Sequence, residues 1–161
     1  MTPYNIHDRL FAINGLSNRA TLRDIKGVGV LVEKLPHEVE QQGLKRNQLQ
    51  KTVESKLQNA GMKVLGRAGP LAAPREPYLY ININVNIAKT ESEVYPYSID
   101  LLFTQKVSPA RDPKLTTYAV TWSTSGVGSI TKRFVDRFQE SVENMVDISI
   151  RAYLVENPRR S

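Results

Sequence analysis

The sequence predicts an α+β fold, a two-layer sandwich in which about five mostly antiparallel strands carry two helices on one face. Three observations lead there. First, Tyr78 to Ile87 reads YLYININVNI, with Leu79, Ile81, Ile83, Val85 and Ile87 alternating against Tyr78, Tyr80, Asn82, Asn84 and Asn86. That period of two belongs to a strand with one buried face, since a helix would scatter the five aliphatics around its circumference. Second, residues 45–60 and 130–156 place apolar side chains three and four apart, the spacing of helices with one apolar stripe each. Third, the elements follow the order strand, helix, strand, three-strand meander, helix, so two stripes must cover one sheet face and leave the other uncovered.

In chain order, residues 1–26 read as a mixed N-terminal arm, with Ile6, Leu10 and Ile13 giving one or two helical turns before Gly15. Val28, Val30 and Val32 make a short β-branched strand. Gly27 and Gly29 beside it lack the third glycine and following helix of a dinucleotide fingerprint, so close packing over the strand is the better reading. A polar connection from Pro36 to Gly43 leads to the first helix, about Lys45 to Ala60, with Leu49, Val53, Leu57 and Ala60 on its stripe. Gly61 follows where a left-handed residue closes a helix at least steric cost. Met62 to Leu65 resumes as a short strand, and Gly66 to Pro77, with its glycines, prolines and arginines, is a surface loop.

After the central strand comes a polar turn through Glu91 and Glu93, then a long strand from Tyr95 to Val107. There Tyr97, Ile99, Leu101 and Phe103 face the core, and Ser98, Asp100, Thr104 and Lys106 face away. Pro96 suggests that this strand begins there or lies at an edge. Ser108 to Lys114 is a hairpin loop. Thr116 to Thr124 is the third long strand, with Tyr118, Val120 and Trp122 on one face and Thr117, Ala119, Thr121 and Ser123 on the other. The closing helix, about Ile130 to Glu156, carries Phe134, Phe138, Val142, Met145, Val146, Ile150 and Tyr153, and Pro158 with the basic tail 159–161 ends it.

A chain of 161 residues suits a single domain that buries roughly 70% of its unfolded-chain surface. Its net charge of +6 is spread through mixed segments, and basic pairs such as Lys45-Arg46 and Lys132-Arg133 are too sparse for a nucleic-acid stripe. With no cysteine, disulfides, thiolate metal sites and cysteine nucleophiles are excluded together. No apolar run reaches the roughly 20 residues of a membrane helix, and Met1 to Leu16 does not read as a signal peptide.

No constellation of catalytic residues emerges, so the expectation is a non-enzyme without cofactor or metal. His7 and His37 have no second histidine at ligand spacing. Asp100, Glu91 and Glu93 form no pair placed for acid/base work, and no serine sits in a nucleophile elbow. Two surfaces remain. The stretch Ser125-Gly126-Val127-Gly128-Ser129 reads as a turn into the closing helix, where Gly126, Gly128 and Ser129, with Lys132 and Arg133 just beyond, would hold a small anion. Any tight strand-to-helix turn needs the same residues. The uncovered sheet face, with Tyr78, Tyr80, Asn82, Asn84, Asn86, Ser98, Asp100, Thr104, Thr117, Thr121 and Ser123, is mostly neutral, with Asp100 the only charge expected near its centre. Such a face is inexpensive to desolvate and suits a protein or glycan partner, or a second copy of the chain, at its surface or edge. Threonine and tyrosine chosen for β propensity on a solvated face explain the same residues.

Several strings are distinctive in combination: Gly27-Val28-Gly29-Val30-Leu31-Val32-Glu33, Pro77 to Asn82, Tyr97 to Asp100, Thr121 to Thr124, Val146-Asp147, Tyr153-Leu154 and Asn157-Pro158. Together they resemble a family of small bacterial proteins of unknown function, usually made with an export signal, over about Leu22 to Pro158. Lys45 stands where such chains tend to carry a Thr or Ser helix cap. The resemblance implies a periplasmic or secreted location rather than a cytoplasmic one, and brings no activity, cofactor or catalytic residue.

Overall fold

The computed structural model describes residues 18–66, 77–86, 94–131 and 135–158. A single 3₁₀ turn (Ala20–Leu22) precedes β1 (Val28–Val32), α1 (His37–Gln41), α2 (Arg46–Asn59), β2 (Val64–Leu65), β3 (Tyr78–Val85), β4 (Val94–Val107), β5 (Thr117–Thr131) and α3 (Val135–Glu156). The strands form one mixed sheet in the order β2-β1-β3-β4-β5. The pairs of β1 with β2 and with β3 are parallel, while the longer ladders β3–β4 and β4–β5 are antiparallel. The two-layer α+β arrangement is therefore the one the sequence predicts. The expected helical turns before Gly15 and the loop and turn residues 67–76 and 87–93 lie outside the described residues.

The core lies between one sheet face and the two long helices. Val28, Val30, Val32, Leu79, Ile81, Ile83, Ile99, Leu101, Phe103 and Trp122 supply the sheet side, all buried. Leu49, Val53 and Leu57 from α2, and Phe138, Val142, Met145, Val146 and Ile150 from α3, supply the other. Lys56 of α2 bridges to Asp147 of α3 at 3.0 Å, tying the helices side by side over the same face. Gln50, though polar, is buried on α2 and donates through Nε2 to the Val30 carbonyl at 3.2 Å and to Glu54 Oε1 at 2.8 Å, so its desolvation is compensated.

The end of α2 follows the sequence reading. Gly61 has φ +86°, its N–H donates to the Gln58 carbonyl, and the Met62 N–H reaches the Leu57 carbonyl. That is a Schellman closure with Met62 buried beneath it. Lys45 is the N-cap of α2 and makes no side-chain cap hydrogen bond; its ammonium donates instead to the Glu40 carbonyl at 2.7 Å. The connection from Pro36 to Gly43 contains the short helix α1, whose Val39 is buried.

Four expectations are corrected. Residues 18–26, read as part of a mixed arm, dock on the core: Leu22 is fully buried, and Arg19 and Arg23 both ion-pair with Glu156 of α3. The guanidiniums of Arg23 and Arg19 hold that carboxyl below the usual carboxylate range. Secondly, β4 starts at Val94 and runs through the sheet interior despite Pro96. Pro96 meets no conflict because it lies where β3 ends, with its carbonyl accepting from Asn86 N–H at 2.9 Å. Thirdly, α3 begins at Val135, and Ile130 belongs to β5.

The fourth correction changes which residues face out. Phe103 pairs with Trp122 but Thr104 pairs with Val120, so Thr121 is an extra residue, a β-bulge. Trp122 keeps the core face, edge-on to Phe103 at 5.9 Å. Before the bulge the alternation is reversed, which puts Tyr118 and Val120 on the open face and turns Thr117 and Thr121 towards the helix side. Thr121 Oγ1 accepts there from Gln105 Nε2 at 2.7 Å.

Candidate binding surface

With both long helices on one side, the described residues of the other side form rows running across the strands. One row reads Leu31, Tyr80, Leu102, Ser123; the next reads Gly29, Tyr78, Thr104, Val120. Towards the far end come Asn82, Asp100, Ser125 and then Asn84, Ser98, Val127. Of the residues assigned to this face from sequence, the structure brings Tyr78, Tyr80, Asn82, Asn84 and Asp100 together on it, and Asn86 follows directly beyond β3. Asn84 Nδ2 lies 3.5 Å from Ser98 Oγ across the ladder.

The face is divided in character. Asparagine, serine and Asp100 make a polar end, whereas Leu31, Leu102, Val120, Tyr78, Tyr80 and Tyr118 gather at a mostly apolar and aromatic end, with Thr104 and Lys106 among them. Val120 remains 51% exposed there. Sequence reading missed Val120 and Tyr118, because only the bulge reveals their direction.

It also missed Glu33. The Tyr80 hydroxyl donates to Glu33 Oε2, and the Lys34 N–H donates to Oε1 at 3.2 Å. This bond pushes the Tyr80 phenol up to about 12 and draws the Glu33 carboxyl below its usual range. Glu33 thus adds a second carboxylate to a face expected to carry only Asp100 and fixes the tyrosine ring in place. The only sequence signal was its position just past β1, two residues beyond Leu31, the register partner of Tyr80.

A pH dependence follows. Folded Tyr80 keeps its proton above the ordinary tyrosine value near 10, so its contribution is full below that value and is lost as pH rises through about 12. Folded Glu33 stays ionised below the ordinary value near 4.5, so its contribution is full above that value and is lost as pH falls through the lowered one. Tyr80→Phe is expected to cost under about 1 kcal/mol near neutrality, because the pair is solvent-screened. The difference from wild type should shrink towards both pH extremes. Urea unfolding of both proteins across pH checks this; a difference independent of pH would show that the hydrogen bond contributes nothing.

The proposed anion turn is overturned by the fold. Gly126, Val127, Gly128 and Ser129 lie within β5, paired with Ile99, Ser98, Tyr97 and Pro96, so they form no turn at the start of a helix. Lys132 and Arg133 lie outside the described residues. The glycines have a packing cause. A Cβ on Gly128 would meet the Tyr97 ring at 2.7–2.9 Å, and one on Gly126 would come within 3.3 Å of the Met145 sulfur. Tyr97 lies flat over Gly128, with its ring edge-on to Phe138 at 4.9 Å and its hydroxyl 3.3 Å from Ser141 Oγ.

Elsewhere, a shallow groove of about 1040 Å³ runs along the outer side of α2 between Lys34, Lys45, Lys51 and Lys56. Lys45 and Lys56 are already engaged there, and Arg46 Nε donates to the Val32 carbonyl at 2.7 Å. His37 lies on α1, its Nε2 2.9 Å from Gln41 Nε2; His7 lies outside the described residues. Among the described residues no cluster of His, Asp and Glu is placed to hold a metal ion, and no helix is long and apolar enough to cross a membrane.

Comparison with known proteins returns general likeness only. No protein-family model matches the chain, and no curated protein matches it. Among solved structures, the chain is similar to a minor lipoprotein from Acinetobacter baumannii, at 10% identity over 83% of this chain and 94% of that one, with a TM-score of 0.31. It is also similar to a neuraminyllactose-binding hemagglutinin homolog from Helicobacter pylori, at 13% identity over 82% of this chain and 86% of that one, with a TM-score of 0.34. Similarity at this level assigns no function.

Proposed function

We propose that this chain is a non-enzymatic binding domain of the bacterial envelope or exterior that recognises a protein or glycan partner through the sheet face opposite its two long helices. One observation carries the reading: both long helices cover the same face, leaving Tyr78, Tyr80 and Leu102 half-buried and Val120 exposed on the other, beside Asn82, Asn84 and Asp100. Aromatic rings and aliphatic side chains supply area at low entropic cost, and neutral amides supply hydrogen bonds without the desolvation penalty of charge. A sugar ring stacking on Tyr78 or Tyr80, or an apolar protein patch, would find what it needs there. The envelope location rests on the resemblance described above.

Asn84 is exposed, so Asn84→Lys is expected to leave stability within about 0.5 kcal/mol of wild type. An unpaired lysine buried in an interface would weaken partner retention at least tenfold. Wild type and Asn84→Lys, immobilised and challenged with a glycan panel and with envelope extract, test this. Specific retention by wild type that the variant loses supports the reading. Equal retention by both, or none by either, removes the face from it.

A further inference from the structure

Beyond the face, the sheet ends in an edge that fits one particular partner. We propose that β5 pairs antiparallel with β5 of a second copy of this chain, across a twofold axis at Val127, joining the two sheets into one. β5 is the last strand of the sheet, and among the described residues no strand pairs with its outer side. It spans 15 residues, TYAVTWSTSGVGSIT, without a charge or a proline. Natural edges are usually blunted by lysine, proline or brevity, as the opposite edge of this sheet is by the two-residue β2.

The direction of the free backbone groups follows from the ladder. The Asn86 N–H donates to the Pro96 carbonyl, so the polar groups of even-numbered β4 residues near Pro96 face β3 and those of Tyr97 and Ile99 face β5. Their partners Gly128 and Gly126 face back towards β4. Ser125, Val127 and Ser129 therefore point their N–H and C=O groups outward, and all three are exposed.

What selects a second copy is the symmetry of the strand itself. Ser125-Gly126-Val127-Gly128-Ser129 reads the same in both directions. A twofold axis at Val127 sets valine against valine, glycine against glycine and serine against serine, as a self-complementary interface requires. Pairing of residues 123–131 would make about ten backbone hydrogen bonds. It would also cover Val127, at 86% the most exposed large apolar side chain among the described residues. No charge lies on either strand, so the overall +6 of each copy brings no like charges together at the seam. The contact uses the long edge of both copies and, among the described residues, leaves only the two-residue β2 edges, so it closes at a dimer instead of growing into a filament.

Sedimentation of the full chain from about one to a few hundred micromolar tests this. Wild type should reach a dimer. Val127→Lys, which sets two lysines directly opposite across the axis, should dimerise at least tenfold more weakly while melting as the wild-type monomer does. Asn84→Lys should leave the dimer intact, which separates this contact from partner binding at the face. A second measurement uses the absence of native cysteine. Under mild oxidation Val127→Cys should cross-link into dimers. Ser123→Cys should not, because the axis separates its two copies by roughly 27 Å at ~3.4 Å per residue. A wild type that stays monomeric, a dimer indifferent to Val127→Lys, open-ended assembly, or equal cross-linking at both positions would each overturn the proposal.

Discussion

Leu101→Ala and Phe138→Ala should each destabilise the fold by about 2–5 kcal/mol, the range for truncating a fully buried side chain into a cavity. Leu101 is fully buried in the middle of β4, between Ile81 on β3 and Thr124 on β5. Phe138 is 1% exposed and receives the edge of Tyr97 at 4.9 Å, so its loss would also leave the ring that lies over Gly128 without support. Leu102→Ala, one residue along on the open face and only half-buried, should cost clearly less. Chemical denaturation of the three variants decides the register: a costlier Leu102 would mean that the whole strand is flipped.

The next largest effect is expected at Asn157, just past the end of α3. Its Nδ2 donates to the Leu22 carbonyl at 2.8 Å and to the Tyr153 carbonyl at 2.9 Å, and its Oδ1 accepts the Asp24 N–H at 2.8 Å. Asp24 has φ +59°, a left-handed conformation that aspartate tolerates better than most residues, and this amide bond pins the turn leading into β1. Asn157→Ala removes all three hydrogen bonds at once and should cost about 2–3 kcal/mol at about 1 kcal/mol per bond. Urea denaturation gives the total, and hydrogen exchange at the Asp24 amide locates it. A cost below about 0.5 kcal/mol would mean that Leu22 burial and the Glu156 ion pairs dock this segment unaided.

Asn157 also shows how far the string Asn157-Pro158 could be read from sequence. Its place past an amphipathic helix marks a terminus, but the carbonyls and amide it serves come from Leu22 and Asp24, more than 130 residues away in the chain. The hairpin loop between β4 and β5 was local and therefore legible. Asp112 accepts from the Lys114 N–H and donates its own N–H to Pro109, as a proline- and aspartate-bearing turn leads one to expect.

Features whose cause lies within a few residues were legible before the fold was known. The alternation of Tyr78 to Val85 sets a strand and its faces, because each side chain's direction depends only on its parity. The stripes of α2 and α3 set which helix sides are buried, and Gly61 sets where α2 stops. The places of Gly126 to Ser129 and of Tyr118 and Val120 emerged only from the packed fold. Serine and glycine in a row signal a turn locally; here they continue a strand, because Tyr97 and Met145 need the space that a Cβ would fill. The bulge at Thr121 inverts the parity before it, and that inversion depends on how β5 registers against Phe103 and Thr104 of β4. Side-chain parity is a property of one strand, whereas register and close approach belong to two elements brought together by the fold.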